Sequence, residues 1–339
     1  MSAPSTFVPL RQSVMGRAAM RLMIFDCSAL SCDVIAATHR GKPSSFVAGM
    51  RDGTIRGFIT HSVWAEVPRV LEDRAREGED FDLAGAERLW WSVYVPVLYT
   101  VCTVGLPFTP EARRLLAEDP SDEGMLRLHA VLGPAALIAA DRDLIRGGIA
   151  HPDWPRVRAA VGHVGRAEGQ AGVAARLVVI FVEGTVRGLV AAARGARARP
   201  LTGLMLAAAL LLGGLLYGRS HPGTAIGRIR SFLNEIGRAA GEQASVVCEQ
   251  YERGEAVWVD AERGTITDST LSKVTRVLAS APEPMTRSAI LTAVGTFPGR
   301  THRDRMFGLY ELLCTYPGFC EIAAHHWQLG RTDVGHRLT

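Results

Sequence analysis

Four carboxylates occupy comparable places in the first half of the sequence. Asp26 follows the apolar run 22–25, and Asp141 follows the apolar run 135–140. Glu66 and Asp122 lie near the starts of two segments whose apolar residues have helical spacing. Carboxylates held close together repel one another and need a cation. Because no Cys or His stands at metal-finger spacing beside them, the set suits a hard divalent ion, Mg²⁺ or Mn²⁺.

The apolar patterns next to these acids predict an α/β domain. A continuous apolar run such as 22–25 is typical of a parallel strand covered on both faces, and ligands of such sheets bind beyond the carboxyl ends of the strands. A second explanation stays open, because Asp26 and Ser28 can simply cap the helix that begins near Ala29. Glu66 is likewise favourable near any helix start. Capping is harder to invoke for four acids at equivalent positions.

Further elements follow from apolar periodicity and from start and stop signals. Helices are predicted to begin at the Thr60/Ser62 cap signal, at Pro110 and after Asp122, and Gly133-Pro134 ends the last of them. Strands are predicted at 58–60, 95–104 and 135–140.

The order of these motifs resembles the PIN-domain family of metal-dependent ribonucleases, which includes the toxin nucleases of toxin–antitoxin pairs. The resemblance covers about 21–154 and is carried by FDCSAL, VWAEV, DPSDEGMLRLHA and AADRDLI. It implies a three-layer parallel-sheet domain over 21–158. A stand-alone toxin is disfavoured, because about half of the chain lies beyond this domain.

The resemblance also implies the chemistry of the acids, namely hydrolysis of RNA phosphodiester bonds with Mg²⁺ or Mn²⁺. Asp26, Glu66, Asp122 and Asp141 would be catalytic, and the three aspartates would bind the metal. Ser28 and Asp143 would support them. A bound cation would polarise a phosphodiester oxygen and lower the pKa of a water molecule for attack on phosphorus.

Two features depart from the family pattern. Ala139 stands where the family usually has Thr or Ser, two residues before the last acid, and the insert 71–95 is longer than in compact members. The missing hydroxyl keeps a second function open, in which a degenerate, non-catalytic domain regulates by binding nucleic acid or protein.

Composition sets the wider frame. With 339 residues and 47% hydrophobic residues, the chain is long enough for two or three domains with cores and is not a disordered protein. The net charge of +4 leaves nucleic-acid affinity to local patches. The six scattered cysteines are typical of free thiols in the cytoplasm. Residues 1–20 are predicted to be a flexible arm without the apolar core of a secretory signal.

The uncharged run 201–218 lies within a predicted linker, 159–225. Its length is close to the ~18 residues that mark a membrane-spanning candidate. It is therefore predicted to anchor the chain to the inner face of the cell membrane, with a buried helix of a water-soluble domain as the alternative.

The C-terminal region 226–339 is predicted to comprise a helical linker, a strand at 255–261 and a small winged-helix-like α+β domain at 271–331. Its short helix opens at Thr286, and Arg303 and Arg305 lie on its recognition helix. Winged helices bind proteins as well as nucleic acids, so DNA and protein are both candidate partners. A homodimer is also compatible with the sequence.

Overall fold

A computed structural model describes residues 21–169, 246, 248–264 and 268–332. The chain divides into two compact units, Arg17–Gly165 with Glu252–Thr339, and Met1–Gly16 with Arg166–Tyr251. The predicted arm 1–20 and the predicted membrane segment 201–218 lie outside the described residues. Within the described ranges, no helix combines the length and apolar character needed to cross a membrane.

The unit that contains the predicted site is an α/β protein built on a mixed five-stranded sheet in the order β3-β2-β1-β4-β5. The strands are β1 (Arg21–Phe25), β2 (Ile55–Thr60), β3 (Leu98–Val101), β4 (Ala135–Ile138) and β5 (Glu262–Arg263). Strands β1 to β4 pair in parallel, as predicted. The prediction of a wholly parallel sheet is wrong at β5, which runs antiparallel to β4. Only two residues long and distant in sequence, β5 has no local apolar pattern that would reveal it.

Helices follow each of the parallel strands, and several of them were predicted from their start signals. They are α1 (Cys27–Arg40), α2 (Ser45–Asp52), α3 (His61–Arg76), α4 (Leu83–Leu89), α5 (Pro110–Glu118), α6 (Glu123–Leu132), α7 (Arg142–Arg146), α8 (154–169) and α9 (248–261). Thr60 caps α3 by accepting a hydrogen bond of 3.3 Å from the Val63 amide. The predicted helix starts at Thr60, at Pro110 and after Asp122 are therefore confirmed.

Side chains of β1 alternate between two hydrophobic cores, one on each face of the sheet. Met23 and Phe25 pack with residues of α1 to α4, whereas Leu22 and Ile24 pack with residues of α5 and α6. Every residue of β1 is buried. Coverage of both faces explains why the apolar run is continuous, and the arrangement is compatible with three layers.

The predicted strand at 255–261 is wrong, since these residues belong to α9. The buried positions of α9 are Tyr251, Gly254, Trp258 and Ala261, which recur at helical rather than alternating spacing. The short motif VWV has strong strand propensity, but burial along one helical stripe decides the conformation.

The C-terminal elements pack on the sheet and do not form a separate core. They are α10 (Thr270–Ser280), β6 (Met285–Thr286), α11 (Arg287–Val294), α12 (His302–Thr315), β7 (Phe319–Ala323) and β8 (His326–Leu329). The strands form a second sheet in the order β6-β8-β7. Leu278, Leu309 and Trp327 lie in the same hydrophobic core as Leu22 and Ile24.

The buried Arg56 on β2 connects the two parts. Its guanidinium donates to the carbonyl of Ala279 at 3.0 Å and to that of Ala281. These carbonyls lie at the C-terminus of α10, where backbone acceptors have no partner within the helix. The C-terminal elements are therefore held to the sheet by hydrogen bonds as well as by apolar contact.

Candidate functional site

Asp26 lies at the carboxyl end of β1 and is also the N-cap of α1. Its carboxylate accepts a hydrogen bond from the Ser28 amide at 3.0 Å, and its own amide donates to the Ile138 carbonyl at 2.9 Å. Both explanations of this aspartate therefore apply. The cap fixes the side chain, and the β1–β4 pairing places it at the edge where ligands of α/β sheets bind.

The Ser28 hydroxyl connects the ends of two strands. It donates to the Asp26 carboxylate and accepts a hydrogen bond of 2.9 Å from the Ala140 amide. Ala140 directly precedes Asp141, so one hydroxyl fixes the relative positions of the acids that follow β1 and β4. The supporting role predicted for Ser28 stays a prediction.

Asp122 shows most directly that the predicted acids lie near one another. Its pKa is raised to about 7 by partial burial and then by the negative charges of Asp26, Asp119, Asp141 and Glu66. The other three predicted acids are therefore within electrostatic range of Asp122. We call the region formed by Asp26, Glu66, Asp122 and Asp141 the carboxylate corner. Asp122 makes no capping hydrogen bond to α6.

The pKa values of Asp26 and Glu66 are also shifted by neighbouring carboxylates. Burial raises the pKa of Asp26, and the charge of Asp141 adds to this effect although hydrogen bonds from Ser28 oppose it. Burial also raises the pKa of Glu66, followed by the charge of Asp26, while Arg69 acts in the opposite direction. A bound cation would relieve this repulsion.

Asp141 and Asp143 have different surroundings. Asp141 caps α7 and accepts hydrogen bonds of 2.6 Å from the Asp143 amide and 3.3 Å from the Leu144 amide. Asp143 is exposed, and its carboxylate lies 3.4 Å from the Arg146 guanidinium. Asp141 thus belongs to the carboxylate corner, whereas Asp143 contributes its backbone amide to the orientation of Asp141.

Two further residues of the corner were not singled out by the sequence. Gly124 lies where an added Cβ would be 3.1 Å from the Thr103 hydroxyl and 3.3 Å from a methyl carbon of Thr60. Its missing side chain therefore lets α6 approach the ends of β2 and β3, which brings Asp122 to the corner. A glycine inside a helix is a recognisable signal of such close packing. Asp119 also adds negative charge to Asp122 and Glu66.

Ala139 is fully buried and lies in the same core as Leu137 and Leu132. The hydroxyl that the family places at this position is absent, and the nearby backbone amide of Ala140 is bound by Ser28 instead. The hydroxyl that hydrogen-bonds at this end of β4 therefore comes from Ser28, which follows β1.

The donor chemistry of the corner suits a hard cation. Its members contribute carboxylate oxygens, the ligands that Mg²⁺ and Mn²⁺ prefer. Within the part of the chain that the structure describes, no three His, Cys, Asp or Glu side chains already converge as a metal-holding group. The four carboxylates are thus near one another without forming a ready-made metal site.

The two predicted nucleic-acid-binding arginines both lie in the first half of α12. Arg303 is exposed. Arg305 is half-buried, its Nε atom is shielded from solvent without a hydrogen-bond partner among the described residues, and its stem packs against Gly299. Of these two arginines, Arg303 is therefore the more exposed to solvent.

Comparisons with known proteins add no relatives: no family model matches the chain, and neither a curated protein nor a solved structure is detectably similar to it.

Proposed function

We propose that this chain is a divalent-metal-dependent ribonuclease with a PIN-like catalytic domain. The observation that carries the proposal is that Asp26, Asp141 and Glu66 all lie within electrostatic range of Asp122, whose pKa is raised to about 7 by partial burial and by these charges. Carboxylates held close together repel one another and lower the stability of a folded protein, so such a group is a candidate functional site. A cation bound at the carboxyl edge of the sheet, where ligands of α/β sheets bind, would relieve this repulsion.

Asp26, Asp122 and Asp141 would hold Mg²⁺ or Mn²⁺. When bound, the ion would supply charge stabilisation for a phosphodiester undergoing in-line hydrolysis. Ser28 orients the carboxylate of Asp26 through its hydroxyl. Glu66, whose pKa is raised by burial and by the charge of Asp26, is suited to accept a proton from the attacking water.

The full chain is the form to test, because the C-terminal elements share a hydrophobic core with β1. We expect it to cleave single-stranded RNA with Mn²⁺ or Mg²⁺ and not with EDTA. Asp26→Asn and Glu66→Gln should each abolish cleavage.

The matched control is Glu72→Gln on the same helix as Glu66. The Glu72 side chain is 46% exposed and its carboxylate lies 3.1 Å from Arg76, so this variant should cleave normally. Equal cleavage by wild type and Asp26→Asn would contradict the proposal. Metal-independent RNA binding without cleavage would instead support the non-catalytic regulator.

The C-terminal elements follow the order of a winged-helix-like module, and we infer that they serve substrate or partner binding. The sequence α10, β6, α11, α12, β7, β8 supports this inference. The module packs on the catalytic sheet, so a DNA or protein partner bound to Arg303 would be held beside the nuclease. Arg303→Ala should then weaken nucleic-acid binding, measured by fluorescence anisotropy, without changing the unfolding midpoint.

A further inference from the structure

An aromatic cleft of about 710 Å³ opens between the start of α3 and the C-terminal elements. Its lining includes His61 and Trp64 from α3, and Tyr316, Phe319 and Trp327 from the C-terminal elements. A volume of this size is typical of a small-molecule site. Concentrated aromatic side chains in an open cleft favour a flat, stacking ligand.

Two chain segments carry a cleft residue directly beside a residue that packs at the carboxylate corner. On the first, His61 lines the cleft and directly follows Thr60, whose side chain packs against Gly124 of α6. On the second, Cys102 lines the cleft and directly precedes Thr103, whose hydroxyl also approaches Gly124. The segments 60–61 and 102–103 thus connect the cleft to the corner.

Two hydrogen-bond donors in the cleft wall lack acceptors. The indole Nε1 atoms of Trp64 and Trp327 are shielded from solvent, and neither has a hydrogen-bond partner among the described residues. Shielded donors without acceptors are rare and unfavourable. Both atoms lie beneath the surface of the cleft, so a ligand would reach them only if the two side chains rotated. Arg331 lines the cleft with a positive charge suited to a phosphate, and Glu321 lines it with a negative charge.

We propose that the cleft binds one nucleobase of a single-stranded RNA whose adjoining phosphodiester reaches the carboxylate corner. The inference rests on the proposed nuclease function and names how its substrate is held. Unpaired bases stack on aromatic side chains and expose their acceptor edges, whereas bases of a duplex do neither. Aromatic stacking accepts any base, so the cleft confers a preference for single strands with little sequence selectivity.

The test measures binding of the full chain in EDTA, where cleavage does not interfere. The probes are a fluorescein-labelled oligouridylate and an abasic oligonucleotide of the same length and charge. Wild type should bind the oligouridylate more tightly, and Trp64→Leu should weaken that binding about 5-fold to 100-fold, to the level of the abasic probe. Trp91→Leu is the control. The ring centroids of Trp91 and Trp64 lie 5.4 Å apart, but Trp91 does not line the cleft.

A second measurement follows cysteine alkylation in the wild-type chain, so it needs no substitution. Cys314 lines the cleft and is exposed, whereas Cys248 is exposed and does not line it. The oligouridylate should slow alkylation of Cys314 and leave that of Cys248 unchanged.

Equal affinity of wild type for the two probes, or no protection of Cys314, would overturn the inference. Metal-dependent cleavage that is lost in Asp26→Asn, together with such a result, would leave the nuclease proposal intact and reject the cleft alone. Specific protection of Cys314 without cleavage under any cation would reject the nuclease and retain the binding site.

Discussion

Thr100 and Arg331 exchange a pair of backbone hydrogen bonds across the edge of the sheet. The Thr100 amide donates to the Arg331 carbonyl at 2.8 Å, and the Arg331 amide donates to the Thr100 carbonyl at 2.9 Å. An edge strand with unpaired backbone groups is a liability, and here the segment after β8 pairs with β3 at this point. The same pairing closes one side of the aromatic cleft, because Thr100 and Arg331 both line it.

Gly330→Ala should detach this pairing. Gly330 has φ +70, and an added Cβ would lie 2.8 Å from the Thr100 carbonyl oxygen, so the variant meets both backbone strain and a clash with rigid backbone. We expect a loss of about 2–4 kcal/mol in the free energy of unfolding, measured by denaturant titration. The control Gly53→Ala has φ +76 and nothing within 4 Å of the new Cβ. It should lose only about 1 kcal/mol, and equal losses in the two variants would show that the contact with Thr100 is unimportant.

A buried ion pair holds the helices on the other face of the sheet. Asp33 is completely buried, accepts a 2.7 Å hydrogen bond from the Tyr94 hydroxyl and lies 2.8 Å from the Arg158 guanidinium. Asp33→Ala removes the carboxylate that both partners contact and should lower the free energy of unfolding by about 3–5 kcal/mol. Tyr94→Phe removes one donor and should cost about 1.5–3 kcal/mol.

The control for this pair is the exposed Asp73, whose carboxylate contacts Arg76. Asp73→Ala should change the free energy of unfolding by less than about 1 kcal/mol in the same denaturant titration. A comparable loss in Asp33→Ala and Asp73→Ala would contradict the structural role of the buried pair.

The first half of the fold was predictable because its strands and helices carry local signals. The apolar run before Asp26, the Thr60 cap and the Pro110 start each depend on neighbouring residues alone. Grouping of the acids followed from one topological rule, that parallel strands end at the same edge. The two-residue β5 depends on pairing with β4, a long-range contact without a local signature.

The cleft was not predictable for the same reason. Trp64 and Trp327 are separated by most of the chain and come together only because the C-terminal elements share a core with the sheet. The sequence indicated an independent winged-helix-like module, since its helices are regular and locally capped. Amphipathic helices do not reveal which apolar surface they cover.

Ser28→Ala tests how the carboxylate corner is organised. Loss of the hydroxyl removes the bridge between the Asp26 carboxylate and the Ala140 amide. If the chain is a metal-dependent ribonuclease, we expect cleavage and Mn²⁺ affinity to fall about 10-fold to 100-fold, measured by initial rates and calorimetric titration. Ser28→Thr retains a hydroxyl and should recover most of the activity. Ser92→Ala, which removes an exposed hydroxyl far along the chain, should behave as wild type; a matching loss there would argue against a specific bridge.

The Asp122 carboxyl should make stability depend on pH in the absence of divalent cations. Because its pKa is about 7 in the folded chain and about 3.9 in an unfolded one, the folded state binds the extra proton between these values. Stability from this group is thus present at low pH and is lost as the pH rises from about 4 to 7. Asp122→Asn removes the charge, so in EDTA at pH 8 it should be more stable than wild type by about 1 kcal/mol, after allowance for solvent screening. That difference corresponds to a rise of roughly 2–4 °C in the unfolding midpoint. The gain should shrink towards pH 4, and Asp143→Asn, which alters an exposed carboxylate paired with Arg146, should show none of it. A midpoint difference that stays constant from pH 4 to pH 8 would mean that Asp122 does not experience the repulsion of its neighbours.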